Sequence, residues 1–313
     1  MLAYRAYGTL DEERRNVIVV PSAYGATHEN SEWLIGPDKP FDTTRYFVVA
    51  TNLFGNGLST SPSNAAPSQR GAAFPHVTVY DNVEAQYRLV AGHLGARAIQ
   101  LVAGFSMGAQ QAFHWGARHV ELVRRIAPFC GSAKTAEHNK VFLDGVAATL
   151  QADAAYAEGG YAEPPLVGLR AMGRVWAGWG LSQTFYRDEL WRPLGFTSRA
   201  AFIEANYVAR FTGADANDLL AMLWTWRHAD VGAHARYSGD TAAALGAIAA
   251  RAVVMPSQTD LYFPPEDNAR EVALMRDAEL AIIPSVHGHA AGANVNPADA
   301  AWLRARLTDL LAR

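Results

Sequence analysis

With 313 residues, 50% of them hydrophobic and 18% charged, the chain is long enough for one large globular core, alone or carrying an inserted segment. A formal net charge of −3 supplies no basic field to hold nucleic acid or an anionic membrane surface, which leaves small molecules as the expected partners. A single cysteine, Cys130, excludes an internal disulfide and a cysteine-based metal site, and the histidines form no HExxH or comparable pair, so no metal is expected.

The N-terminus, MLAYRAYGTLDEERRN, is charged and broken up, unlike a signal peptide, and no apolar run approaches the roughly 20 residues a spanning helix needs. A soluble cytoplasmic enzyme is expected. Residues 16–20 (NVIVV) and 45–51 (RYFVVAT) are apolar runs bounded by charged and turn residues, and they read as buried strands. Between them, the loop from Pro21 to His28 leaves the end of the first strand, where an open α/β sheet places ligand-contacting groups. That loop reads either as an ordinary Gly-containing connection or as half of an oxyanion hole with the Ala23 N–H as donor. The stretch from Asn52 to Gly71, rich in Gly, Ser, Asn and Pro, reads as a long surface loop near a site entrance. Its Gly55-Asn56-Gly57 step lacks the lysine and the following helix of a phosphate cradle. A helix is expected over 79–94, with Asp81 and Asn82 as candidate N-caps, which gives the strand–helix–strand order of a parallel sheet.

The stretch from Ile99 to His119 carries the most information. An apolar strand run passes through Gly104-Phe105-Ser106-Met107-Gly108 directly into a helical pattern. Gly-x-Ser-x-Gly alone is a weak signal, but a strand before it and a helix after it give it the context of a nucleophile elbow. In so tight a bend, side chains two residues either side of the serine would collide, hence Gly104 and Gly108. The bend pushes the Ser106 hydroxyl clear of the sheet. It also leaves the Met107 amide at a helix N-terminus, where an orphan N–H and the helix dipole favour a developing oxyanion.

Another strand is expected at 123–129, after which the character changes. From 132 to 245 the chain consists of Ala- and Trp-rich helical pieces with no convincing strand, which reads as a helical cap inserted between core segments 1–131 and 246–313. Trp176, Trp179, Phe185, Tyr186, Trp224 and Trp226 are candidate walls of a pocket beneath the cap, together with Tyr24 from the first loop, although aromatics at this spacing often serve only as packing. The α/β order returns over 247–255, and Asp260 lies just beyond that strand, as an orienting carboxylate or as an Asx turn ahead of Pro264 and Pro265. After a helix over 266–275 and a strand over 278–284, the turn from Ser285 to Gly292 presents His287 and His289, two candidates for one general base. An amphipathic helix over 297–312 closes the sequence.

The segments AYRAYGTL, VVPSAYGATH, NLFGNGLSTSPS, FPHVTVYDNVEAQ, GFSMGAQQAFHW, SQTDLYFPPED and SVHGH together resemble the homoserine O-acetyltransferase group of the α/β-hydrolase superfamily over nearly the whole chain. The resemblance implies an α/β-hydrolase fold, with a mostly parallel central sheet flanked by helices and an inserted helical cap. It implies Ser106 as nucleophile, Asp260 as orienting acid, and His289, the histidine directly after Gly288, as base. The Met107 and Ala23 amides would form the oxyanion hole, His287 would belong to the pocket, and a homodimer is compatible with the likeness. Two departures bear on substrate. Ala290 follows His289 where the acetyltransferases carry an aspartate for the acceptor's amino group. Arg174 is the counterpart of an arginine that meets the acceptor carboxylate, but Leu181 stands where a tyrosine is expected two turns later. An unpaired buried ammonium is strongly unfavourable, so the expectation is a hydrolase that cleaves an ester or related acyl bond through an acyl-serine, with a small-molecule acyl substrate and no cofactor. The alternatives are an O-acyltransferase drawing on acyl-CoA and, in a different class, a non-catalytic protein that binds a ligand under the cap.

Overall fold

A computed structural model describes residues 1–313. One sheet contains seven strands, β1 (Tyr4–Tyr7), β2 (Val17–Pro21), β3 (Phe47–Thr51), β4 (Ile99–Phe105), β5 (Arg125–Phe129), β6 (Arg251–Val254) and β7 (Ala278–Leu280), in the spatial order β1-β3-β2-β4-β5-β6-β7. Only β1 runs antiparallel to its neighbour. Along β2, Val17 and Val19 enter one core cluster while Ile18 and Val20 enter another. A strand sends alternate side chains to opposite faces, so a strand covered on both faces is apolar throughout rather than alternating.

Helices α1 (Val79–Tyr87) and α2 (Met107–Arg118) cover the first face through Val83, Phe113 and Trp115. The cap of α1 is Thr78, one turn ahead of the expected Asp81 and Asn82. Its Oγ1 accepts from the Asp81 N–H at 3.1 Å and its N–H donates back to the Asp81 carboxylate at 2.8 Å. Beyond Tyr87 the helix widens into a π-helical turn over Arg88–His93. Strand β1 has no counterpart in the sequence reading, because its residues are largely exposed and no apolar alternation marks them. Backbone pairing with β3, Tyr4 opposite Thr51 through Tyr7 opposite Val48, is what makes it a strand.

Everything between β5 and β6 is helical or irregular: α3 (Glu137–Gln151), α4 (Leu166–Gly180), α5 (Gln183–Arg187), α6 (Arg199–Ile203), α7 (Ala209–Thr212), α8 (Ala216–Arg227) and α9 (Thr241–Ala247). Phe142, Trp176, Phe211 and Trp226, from α3, α4, α7 and α8, share one core that reaches down to Met107 and Tyr262. Val231, Ala244 and Leu245 were expected in the cap, yet they pack in the same cluster as α1 and α2, so α9 flanks the sheet. The Asn52–Gly71 segment is more than a surface loop. Leu53, Ser59 and Ser61 are fully buried, and the Asp218 carboxylate on α8 accepts from the Ser63 N–H at 2.8 Å and its hydroxyl at 2.6 Å. A buried loop is tolerable only when its polar groups find partners in this way. No helix is long and apolar enough to cross a membrane.

The last two helices are α10 (Pro265–Val272) and α11 (Pro297–Ala312), and α11 covers the second sheet face through Leu303, Leu307 and Leu310. Buried on α10, the Glu271 carboxylate accepts from the Ala133 N–H at 2.8 Å and from Asn268 Nδ2 at 2.7 Å, and Asn268 Nδ2 also donates to the Gly131 carbonyl at 2.9 Å. Burial pushes this carboxyl from 4.5 up to about 8. The folded chain therefore holds the proton more tightly than the unfolded chain does. This group's contribution to stability is complete below the unfolded value and is lost as pH rises through the folded one. Glu271→Gln cannot ionise, so it should flatten the decline of the urea midpoint between about pH 5 and 8; parallel curves for variant and wild type would refute the assignment.

Candidate active site

Strand β4 ends at Phe105 and α2 begins at Met107, so the whole turn between them is one residue. Ser106 sits at φ 56°, ψ −120°, a region L-residues rarely occupy. The Ser106 N–H donates to the Phe129 carbonyl at 3.0 Å, which ties the elbow to β5. A Cβ on Gly104 would lie 2.3 Å from the Gly108 carbonyl carbon, and one on Gly108 would lie 2.5 Å from the Pro21 oxygen. Both glycines are required by close backbone approach.

Asp260 follows β6 and is buried. Its Oδ1 accepts from the Tyr262 N–H at 2.8 Å and the Phe263 N–H at 3.2 Å, and its Oδ2 lies 2.7 Å from His289 Nδ1. His289 Nε2 in turn lies 2.9 Å from Ser106 Oγ. Phe105, Tyr262 and Phe263 surround the imidazole at ring-centroid distances of 4.7, 4.8 and 5.7 Å. The imidazole is held in place by Gly288, whose φ is +61° and whose N–H donates to Thr259 Oγ1 at 3.0 Å; a Cβ there would meet the Leu181 backbone at 2.9 Å. With the carboxylate accepting from Nδ1–H, the free Nε2 is the nitrogen able to take a proton from the serine hydroxyl. Such an arrangement can generate an alkoxide nucleophile.

The loop after β2 runs beside the elbow. Gln111 Nε2 donates to the Ser22 carbonyl at 2.9 Å, Gln86 Nε2 donates to Gln111 Oε1 at 2.6 Å, and Trp115 Nε1 donates to Gln86 Oε1 at 2.8 Å. This buried amide chain fixes the loop against α1 and α2. Neither the Ala23 N–H nor the Met107 N–H donates to a backbone carbonyl, so both stay available to an oxygen above Ser106. A cavity of about 130 Å³ opens there, lined by Ser106, His289, Ala23, Tyr24, Phe105, Phe129, Trp176, Trp226 and Arg210 among others.

The expected pocket residues divide. Trp176 and Tyr24 line the cavity, stacked at 4.9 Å, with the Tyr24 hydroxyl donating to the Leu219 carbonyl at 3.1 Å. Arg174 does not reach it. Two residues along a helix is about 200° around its axis, so with Trp176 turned inward Arg174 faces out, where it pairs with Glu204 at 3.1 Å. Trp179 is half-buried packing between His138 and Phe142 rather than pocket wall. His287 is turned away from Ser106. Its Nδ1 lies 3.6 Å from Asp299 Oδ2, and Asn296 Nδ2 lies 3.3 Å from its Nε2. Phe185 and Tyr186 belong to a separate cluster with Trp191 and Phe202, and Trp224 stacks on His76 and His228, leaving Trp226 as the further cap aromatic in the lining. Cys130 is buried, and burial pushes its thiol well above the ordinary range, as befits an inert side chain.

Two contributors have no place in the sequence reading. The Gln110-Gln111 pair in a helix buried over most of its length is a usable signal, since a buried amide needs partners. Arg210 had no such mark.

A family model described as alpha/beta hydrolase fold matches residues 16–158. A probable esterase of Corynebacterium glutamicum is 38% identical over 299 residues, covering 94% of this chain and 85% of the relative. An ethyl acetate hydrolase of Pseudomonas veronii is 34% identical over 292 residues, 92% of this chain and 83% of the relative. The solved structure of the acetyl esterase MekB superposes with a TM-score of 0.96 at 33% identity, covering all of this chain and 91% of the other. The chain is an enzyme of the α/β-hydrolase family. Within that family it belongs with a group whose named members include both esterases and homoserine O-acyltransferases.

Because the Gly104 contact is backbone on backbone, Gly104→Ala should destabilise the protein by about 2–4 kcal/mol in urea unfolding. A loss below about 0.5 kcal/mol would mean the elbow is relaxed.

Proposed function

We propose that the chain is a serine esterase of short acyl esters, acetates in particular, working through an acyl-Ser106 intermediate. What carries this reading is the unbroken path from Asp260 through His289 to Ser106, 2.7 and then 2.9 Å, at the edge of a cavity of about 130 Å³. That is well below the roughly 300–1,000 Å³ of pockets that take drug-sized ligands. An acetyl group with a small alcohol suits it and a long acyl chain does not. The names of the ethyl acetate hydrolase and the acetyl esterase among the relatives support the same acyl size.

In this mechanism His289 Nε2 takes the Ser106 proton as Oγ attacks the ester carbonyl carbon, and the Ala23 and Met107 N–H groups hold the oxyanion. Collapse of the tetrahedral intermediate breaks the bond to the alcohol oxygen, which leaves with the proton from His289. A water then gives its proton to His289 and attacks the acyl-serine carbonyl, and the acid departs as Ser106 recovers its proton. Asp260 keeps the imidazole in the right tautomer and steadies its charge while it is protonated.

Transfer from acyl-CoA to homoserine is the weaker reading. Ala290 follows His289, Arg174 faces outward, and no carboxylate lines the cavity to hold an ammonium group. A purely ligand-binding role would leave the hydrogen-bonded path without a use.

Ser106→Ala should abolish p-nitrophenyl acetate turnover while the fold persists by circular dichroism; near-native turnover would remove the nucleophile. His289→Ala should lose about 10⁴ in rate, whereas His287→Ala should lose under about tenfold, because its ring never meets Ser106; the reverse ranking would exchange the two roles. Across p-nitrophenyl esters, kcat/KM should fall steeply from acetate to octanoate, and acetyl-CoA with homoserine should yield little O-acetylhomoserine. Efficient formation of that product would replace the esterase reading with a transferase.

A further inference from the structure

Arg210, on α7, lies 185 residues further along the chain than Gly25, yet the two meet. Its Nη2 donates to the Tyr24 carbonyl at 3.2 Å and the Gly25 carbonyl at 3.3 Å. Two carbonyl oxygens that converge on one point repel each other, and a guanidinium between them offsets that repulsion with charge-assisted hydrogen bonds. The acceptors belong to the turn that begins at Ala23, closed by the Ala26 N–H on the Ala23 carbonyl at 3.1 Å, with Gly25 at φ +57°. The Tyr24 side chain is held separately, by Trp176 on α4 and by the Leu219 carbonyl on α8. Helices inserted between β5 and β6 thus grip this turn by both backbone and side chain, while Gln111 grips it from the sheet side.

Resting on the esterase reading above, we propose that Arg210 is a positioning residue: by bridging the Tyr24 and Gly25 carbonyls it fixes the turn that aims the Ala23 N–H at the oxyanion. The helical segment therefore contributes to the chemical step as well as to the walls of the cavity. The oxyanion hole is complete only while α7 is docked on the loop. Arg210 hydrogen-bonds to the Tyr24 and Gly25 carbonyls and to neither Ser106 nor His289, so its influence falls on stabilisation of the oxyanion and leaves the proton-transfer path untouched.

The test compares wild type with Arg210→Met, Arg210→Lys, Arg210→Ala and Ser106→Ala on p-nitrophenyl acetate, with a thermal midpoint for each. Removing an oxyanion donor outright typically costs about 10²–10³ in kcat, and loosening the turn that carries one should cost less, about tenfold. Arg210→Met should show that loss in kcat with KM within about twofold and an unchanged pH profile below neutrality. Arg210→Lys should recover part of it, and millimolar guanidinium should partly rescue Arg210→Ala. An unchanged kcat in Arg210→Met overturns the proposal. So does a rise in KM alone, which would make Arg210 a substrate contact, and so does a loss that follows the thermal midpoint with no guanidinium rescue. If Ser106→Ala still turns over, the esterase reading itself has failed, and that result is separable from any of these.

Discussion

The site depends on keeping Ser106 at φ 56°, ψ −120°. A non-glycine residue in such a region costs about 1–3 kcal/mol and persists only where its surroundings over-determine it. Here β4 enters the bend, α2 leaves it, and the Phe129 carbonyl at the end of β5 takes the Ser106 N–H. Close backbone approach does the rest. Gly104 and Gly108 allow strand and helix to touch across the turn, and a Cβ on Gly131 would lie 2.6 Å from the Ser106 carbonyl oxygen. The segment that contains Gly131 is itself held by Asn268 and the buried Glu271 from α10. The strained turn is thus supported by parts of the chain that lie on both sides of the inserted helices.

The surroundings of the imidazole follow a similar logic. Aromatic rings pack against the faces of His289, while Asp260 accepts from two backbone N–H groups and pairs with the imidazole rather than with a cation. The second histidine has a different task. His287, with Ser285, Asn296 and Asp299, forms a polar knot behind the loop that presents His289. The arrangement resembles a second Ser–His–Asp set, but the shorter contact of Ser285 Oγ is its donation to Asp299 at 2.7 Å, while His287 Nδ1 lies 3.4 Å away, so the serine proton is committed to the acid.

Much of this was legible in the residue order. Runs such as VIVVP and FVVAT are apolar because both sheet faces are covered, and that is visible without coordinates. The elbow is legible because the clash it avoids is between residues four apart, and Asp260 and the His287/His289 turn are marked by their place just after strands. Strand β1 was illegible, since only its partner β3 makes it a strand. The outward turn of Arg174 is illegible for a related reason. Its spacing from Trp176 is plain in the sequence, but which of the two faces the cavity depends on where α4 packs.

The sequence by itself determined the sheet core, the serine elbow and the order of serine, acid and histidine along the chain, because each rests on contacts between near neighbours or on burial of both strand faces. The family resemblance already pointed to His289 over His287; only the tertiary structure decided that Arg210 and not Arg174 stands at the cavity, and that the space beside the serine is small. Those outcomes turn on how elements distant in sequence are rotated and pressed together. The rotation of a helix about its axis is set by everything it packs against, which no local spacing encodes.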